Sequence, residues 1–180
     1  MANPLLKKRI VAKKLCKAYF KDSKGNPMEI TDGQADIFNM VFLRESRRQN
    51  GIGPTQYGKS EALSMALILR SQIFGEKWWI LTGQQAKSDI IMGKCIDHLF
   101  DSEDLLCALD IDASTPLERL KRERSRDRLT WKDGGEIRAI TADARNRKRV
   151  LDSLSGFGNE NILEDEAALI RAAADAVLDG

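Results

Sequence analysis

Gly53-Pro54-Thr55-Gln56-Tyr57-Gly58-Lys59-Ser60 constrains this chain more than any other feature. It fits G-x-x-x-x-G-K-[ST] at every position, the spacing of a phosphate-binding loop set between a strand and a helix. The chemistry requires these residue types. A loop that wraps a phosphate turns its backbone N–H groups inward, and glycine adopts the necessary φ values cheaply. A helix starting at that point adds the positive end of its dipole. Lys59 would then reach the β and γ phosphates, and the Ser60 hydroxyl would sit on magnesium, which takes few protein ligands. Glu61 follows in the first turn of the same helix and is grouped with the loop as part of the nucleotide site. A chance match is expected at roughly 4 positions in 100,000, about 0.6% for such a length. The phosphate reading therefore outweighs a plain Gly-rich turn, although Arg47 to Ile52 is polar for a buried strand entering the loop.

The surrounding pattern supplies the elements such a loop needs. Leu5 to Phe20 reads as a basic amphipathic helix, broken at Lys24-Gly25-Asn26-Pro27. Thr31 or Asp32 caps a helix carrying Ile37, Phe38, Val41 and Phe42. Helix resumes at Lys59 and continues to about Phe74. Lys77 to Thr82 is a buried strand, with Trp78 and Trp79 packing on opposite faces. A helix over about Gln84 to Phe100 and a short one within Ser102 to Leu109 follow. Leu129 to Trp131 and Glu136 to Ile140 flank Asp133-Gly134-Gly135, a hairpin signal. Asn161 to Glu164 is the last strand, and Ala167 to Leu178 is helical. Strands alternating with helices predict an α/β domain with a mainly parallel sheet. The organisation expected is a basic helical lead over 1–30 and a P-loop domain over 31–180.

Composition narrows the class further. Hydrophobic content of 42% and charged content of 31% suit a folded domain with its own core. No apolar run approaches the roughly 20 residues that cross a bilayer, so no membrane partner and a cytoplasmic location are expected. Three cysteines and one histidine make neither a zinc pattern nor a disulfide framework. His98 has no partner visible in the sequence and reads as a packing or solvent-facing residue. Net charge is +2, yet residues 1–21 hold seven Lys or Arg and no acid, and residues 117–150 hold twelve basic and six acidic side chains. That asymmetry is compatible with a polyanion partner and equally with solvated faces.

Asn161-Ile162-Leu163-Glu164-Asp165-Glu166 reads as the second half of the site. Ligands of open α/β sheets bind at the carboxyl ends of strands. Asp165 would serve magnesium there, and Glu166 would orient and polarise the water that attacks the γ-phosphate. Glu164 is unusual for a buried strand, which assigns it to the opposite face or the rim. A bland alternative is an acid pair capping the next helix. A Glu directly after the magnesium Asp is typical of RecA-like ATP-driven motors.

Four segments together resemble the N-terminal ATPase domain of phage terminase large subunits, the motors that package double-stranded DNA into capsids. Thr31-Asp32-Gly33-Gln34 resembles that family's glutamine motif, which implies that Gln34 reads the adenine edge. Gly53 to Ser60 resembles its phosphate loop, and Leu129 to Thr141 its hairpin ahead of the magnesium strand. Leu154 to Ala167 resembles its glycine turn, apolar strand and Asp-Glu-Ala run. The resemblance implies a RecA-like fold, ATP and Mg²⁺ as cofactors, and catalytic roles for Lys59 and Glu166. It also implies duplex DNA, a small terminase subunit and a homo-oligomeric ring on a capsid portal as partners.

The chain departs from that pattern in places. Thr55, Gln56 and Tyr57 stand where many terminases carry an Arg, and so does Ser155. Arg145, Arg147 and Arg149 are candidates for an arginine finger. The chain stops at Gly180, before the further strand and nuclease domain the resemblance implies, so an incomplete sheet is expected. A helicase-type ATPase and a nucleotide-binding fragment without turnover are the alternatives.

Overall fold

The computed structural model describes residues 3–46, 49, 51, 57–82, 85–111, 128–141 and 161–165. The first helix, α1 (Pro4–Tyr19), starts where Asn3 accepts a hydrogen bond from the Leu5 N–H at 3.0 Å and proline occupies the first turn. Ala12, Cys16 and Phe20 form its buried side. The break after it is a small ribbon. Asp22 Oδ1 accepts from the backbone N–H groups of Lys24 and Asn26, both at 2.8 Å, and Lys21 bridges to Pro27.

Thr31, not Asp32, caps α2 (Asp32–Leu43). Its hydroxyl accepts from the Gln34 N–H at 3.3 Å, and Gln34 Oε1 accepts from the Thr31 N–H at 2.9 Å, closing a capping box. Arg9 on α1 grips Asp36 on α2 through Nε at 2.7 Å and Nη2 at 2.5 Å. Next comes α3 (Lys59–Phe74), at the residues the sequence indicates. Its buried run from Ala62 to Leu69 is apolar all round except Ser64, because α2 packs on one side and α4 and the sheet on others.

The sheet has four described strands: β1 (Lys77–Thr82), β2 (Arg128–Thr130), β3 (Glu136–Thr141) and β4 (Asn161–Asp165). Their order is β2-β3-β1-β4; β1 is parallel to both β3 and β4, and β2 is antiparallel to β3. The fold is therefore mixed α/β with a mostly parallel sheet flanked by helices, as the alternation of elements predicts. Trp78 and Trp79 are both buried. The expected hairpin joins β2 to β3 by a three-residue loop. Trp131 N–H donates to Gly135 O at 2.9 Å, and Gly134 takes φ +87°, which a three-residue hairpin loop of this kind requires.

Between β1 and β2 the chain forms α4 (Gln85–Asp101) and the short α5 (Glu103–Cys107). A single apolar cluster runs from Ala12, Cys16 and Phe20 through Phe38, Met65 and Leu69 to Trp78, Ile80, Ile96, Trp131 and Ile137. The basic lead at 1–30 thus shares its core with the helices and the sheet. Among the described residues, no helix is long and apolar enough to cross a membrane.

Candidate functional site

The edge of the sheet where the site would lie follows from chain direction. Only Gly75 and Glu76 separate α3 from β1, so the two elements run in opposite senses. A 16-residue helix is about 24 Å long. A six-residue strand is about 20 Å. The start of α3 at Lys59 therefore returns to the end of β1 at Thr82. At the other edge, the Glu136 N–H donates to Glu76 O at 3.0 Å and Ser71 Oγ donates to Glu136 O at 3.4 Å. The register aligns Thr82 with Thr141 of β3 and with Asp165 of β4. Lys59, Ser60 and the backbone of Asp165 thus share the carboxyl edge of the parallel strands, where open α/β sheets bind ligands.

The last residue before α3 is Gly58, held at φ +76°, in the left-handed region that favours glycine. As a glycine, Gly58 offers no side-chain cap to the helix. A methyl group at Gly58 would overlap the amide nitrogen of Gln34. Gln34 is therefore brought against Gly58, although the two lie far apart in the sequence. Its Oε1 serves the Thr31 cap, and its Nε2 faces Gly58. Tyr57 reaches the same turn of α2, and 41% of its surface is exposed.

Glu61 turns elsewhere. Its carboxylate meets Lys94 Nζ at 2.8 Å and His98 Nε2 at 3.2 Å, both on α4. His98, first, and Lys94 hold its carboxyl down to about 2 against the opposing cost of burial. The His98 nitrogen is within ion-pair reach but lacks a hydrogen-bond angle, so the Lys94 contact is the better formed of the two. His98 is buried, and its ring meets Phe20 edge-on at 5.2 Å. The side-chain role of Glu61 is thus to tie the first turn of α3 to α4. Sequence reasoning missed this, since an acid three positions after a loop glycine and a histidine in a distant helix carry no shared pattern.

Glu164 is exposed, as is Ile162, while Leu163 packs against the core, so Glu164 stands on the face away from it. Gly53, Pro54, Thr55, Gln56, Glu166 and the arginines at 145, 147 and 149 lie outside the described residues, as does most of the strand expected to enter the loop; Gln49 and Gly51, which are described, are in no strand. The helix expected over 167–178 also lies outside them.

The start of a helix is chemically able to receive an anion. Gly58 is left-handed and offers no side-chain cap, and Lys59 and Ser60 open the helix. Among the described residues, no three acids, histidines or cysteines converge on a metal. Magnesium at a nucleotide requires no such cage; a hydroxyl and a carboxylate suffice beside phosphate oxygens. Compared with known proteins, the chain matches no family model and no curated protein.

Proposed function

We propose that this chain binds Mg·ATP at the start of α3 and hydrolyses it, in a RecA-like arrangement serving a DNA-packaging motor of the terminase type. The observation that carries the nucleotide reading is the shared sheet edge. Gly58 and the first turn of α3 stand at the same ends of the parallel strands as Asp165. Lys59 would neutralise the β and γ phosphates while backbone N–H groups hold their oxygens. Ser60 and Asp165 would hold magnesium, which supplies charge neutralisation on the phosphate oxygens. Glu166 would orient the attacking water and accept its proton. Gln34, already beside Gly58, would read the adenine edge through its side-chain amide, giving up its contact with the Thr31 N–H to do so. The motor assignment, with duplex DNA, a portal-bound ring and a small subunit as partners, rests on the motif resemblance.

Titration with a fluorescent ATP analogue, with and without Mg²⁺, tests the first half. Lys59→Ala is expected to abolish saturable binding, and Glu166→Gln to keep binding while removing turnover. Binding unchanged in Lys59→Ala would sink the phosphate-loop reading. Hydrolysis stimulated by duplex DNA supports the motor, whereas stimulation by single strands alone would favour a helicase-type enzyme.

A further inference from the structure

We infer that Tyr57 and Gly33 form a knob and notch that seat Gly58 and the start of α3 on the first turn of α2, which makes Gly33 a positioning residue for the nucleotide site. The inference rests on the phosphate-loop reading above and adds a residue outside the loop itself. A Cβ at Gly33 would overlap the Tyr57 hydroxyl and stand 2.6 Å from both Cε1 and Cζ of the ring. Carbon atoms that close cannot coexist, so only a glycine leaves room for the phenol. The approach is reciprocal: a Cβ at Gly58 would overlap Gln34 Nε2 and lie 3.3 Å from its Cδ. The loop thus projects a ring into α2, and α2 projects an amide against the loop, across one interface.

The notch is the fixed side of this contact. The capping box closes the turn that contains Gly33. Asp32, next to it, is held by Lys13 Nζ at 2.6 Å and by Arg9 Nη1 at 3.6 Å. Asp36, one turn on, is gripped by the same arginine. Tyr57 is the more exposed partner, with open solvent over 41% of its surface. A ring forced out of the notch would swing toward solvent and leave Gly58 and Lys59 without this contact to α2. Phosphate cradles depend on backbone N–H groups held to a fraction of an ångström, and a displacement of about 1 Å can cost on the order of 100-fold.

Four variants of the full chain test this with the fluorescent ATP analogue in the presence of Mg²⁺: Gly33→Ala, Tyr57→Ala, the two combined, and Lys59→Ala. Gly33→Ala is expected to weaken binding by roughly 10-fold or more. Helix propensity alone predicts an unchanged or higher melting temperature for it. The combined variant is expected to bind no worse than Tyr57→Ala, because removing the ring removes the clash. Tyr57→Trp, which enlarges the knob without touching α2, is expected to weaken binding in the same direction and covers the case in which Gly33→Ala fails to fold. Lys59-dependent binding that is indifferent to Gly33→Ala and Tyr57→Trp would overturn the seat alone. So would a combined variant that loses the full Gly33→Ala factor on top of Tyr57→Ala. Binding indifferent to Lys59→Ala would overturn the phosphate-loop reading, and the seat's role with it.

Discussion

Replacing Glu61 with Gln removes one charge from the joint between α3 and α4, and its effect on stability can be worked from the geometry. The Glu61 carboxyl, with 23% of its side chain exposed, is held down from its ordinary 4.5 to about 2 by His98 and Lys94. At 1.36 kcal/mol per pH unit, that fall corresponds to roughly 3 kcal/mol favouring the folded state when the group is ionised. The His98 contact lacks a hydrogen-bond angle, so about 2 kcal/mol is the figure to test. The folded pKa lies below the unfolded one. The contribution is therefore full above about pH 4.5, and it is lost as pH falls toward about 2. Urea unfolding followed by tryptophan fluorescence suits the assay, because Trp78, Trp79 and Trp131 are all buried. Glu61→Gln is expected to be less stable than the parent by about 2 kcal/mol at pH 7. The gap is expected to narrow as pH falls from about 4.5 toward about 2. Lys94 can turn its ammonium to solvent when the carboxylate is gone, but His98, 3% exposed, cannot. Parallel stability curves for parent and variant across that pH range would refute the reasoning.

Two further perturbations probe the packing. A Cβ at Gly93, inside α4, meets nothing within 4 Å, so Gly93→Ala is expected to raise stability by about 0.5–1 kcal/mol in the same urea assay. Gly135→Ala is expected to lower it by more than about 1 kcal/mol, because its Cβ would overlap the Ser71 carbonyl and neither backbone can yield. Equal effects from the two alanines would contradict the close approach of the β2–β3 hairpin to α3. Among the thiols, Cys107 is exposed while Cys16 and Cys95 are buried, with burial pushing Cys16 up to about 12. A chromogenic disulfide reagent is expected to titrate one thiol in the native chain and three only after unfolding. Rapid modification of all three in native buffer would contradict that burial.

Most of the elements were legible in the sequence because their signals are local. Thr31 and Gln34 carry the capping box in four consecutive residues, and the start of α3 follows a glycine that must be left-handed. The apolar run of β1 and the Asp133-Gly134-Gly135 turn are local in the same way. Partners were not legible where they come from distant segments. His98 looked solitary, yet its neighbours are Glu61 and Phe20, each on another element. Glu61 looked like part of the loop, yet its carboxylate works on α4.

The sequence by itself determined where helices and strands begin, which faces are apolar, and which residues are chemically able to hold a phosphate. Each of these depends on dihedral preferences and on the 3.6- and 2-residue periods of the chain. Tertiary structure alone decided that β1 lies between β3 and β4, that α2 presents Gly33 and Gln34 to Tyr57 and Gly58, and that Glu61 binds α4. Periodicity says which side of an element must be buried, but not against what. That choice is made by the simultaneous packing of every apolar face into one core, where each side chain must fit its neighbours' shapes and leave no charge unpaired.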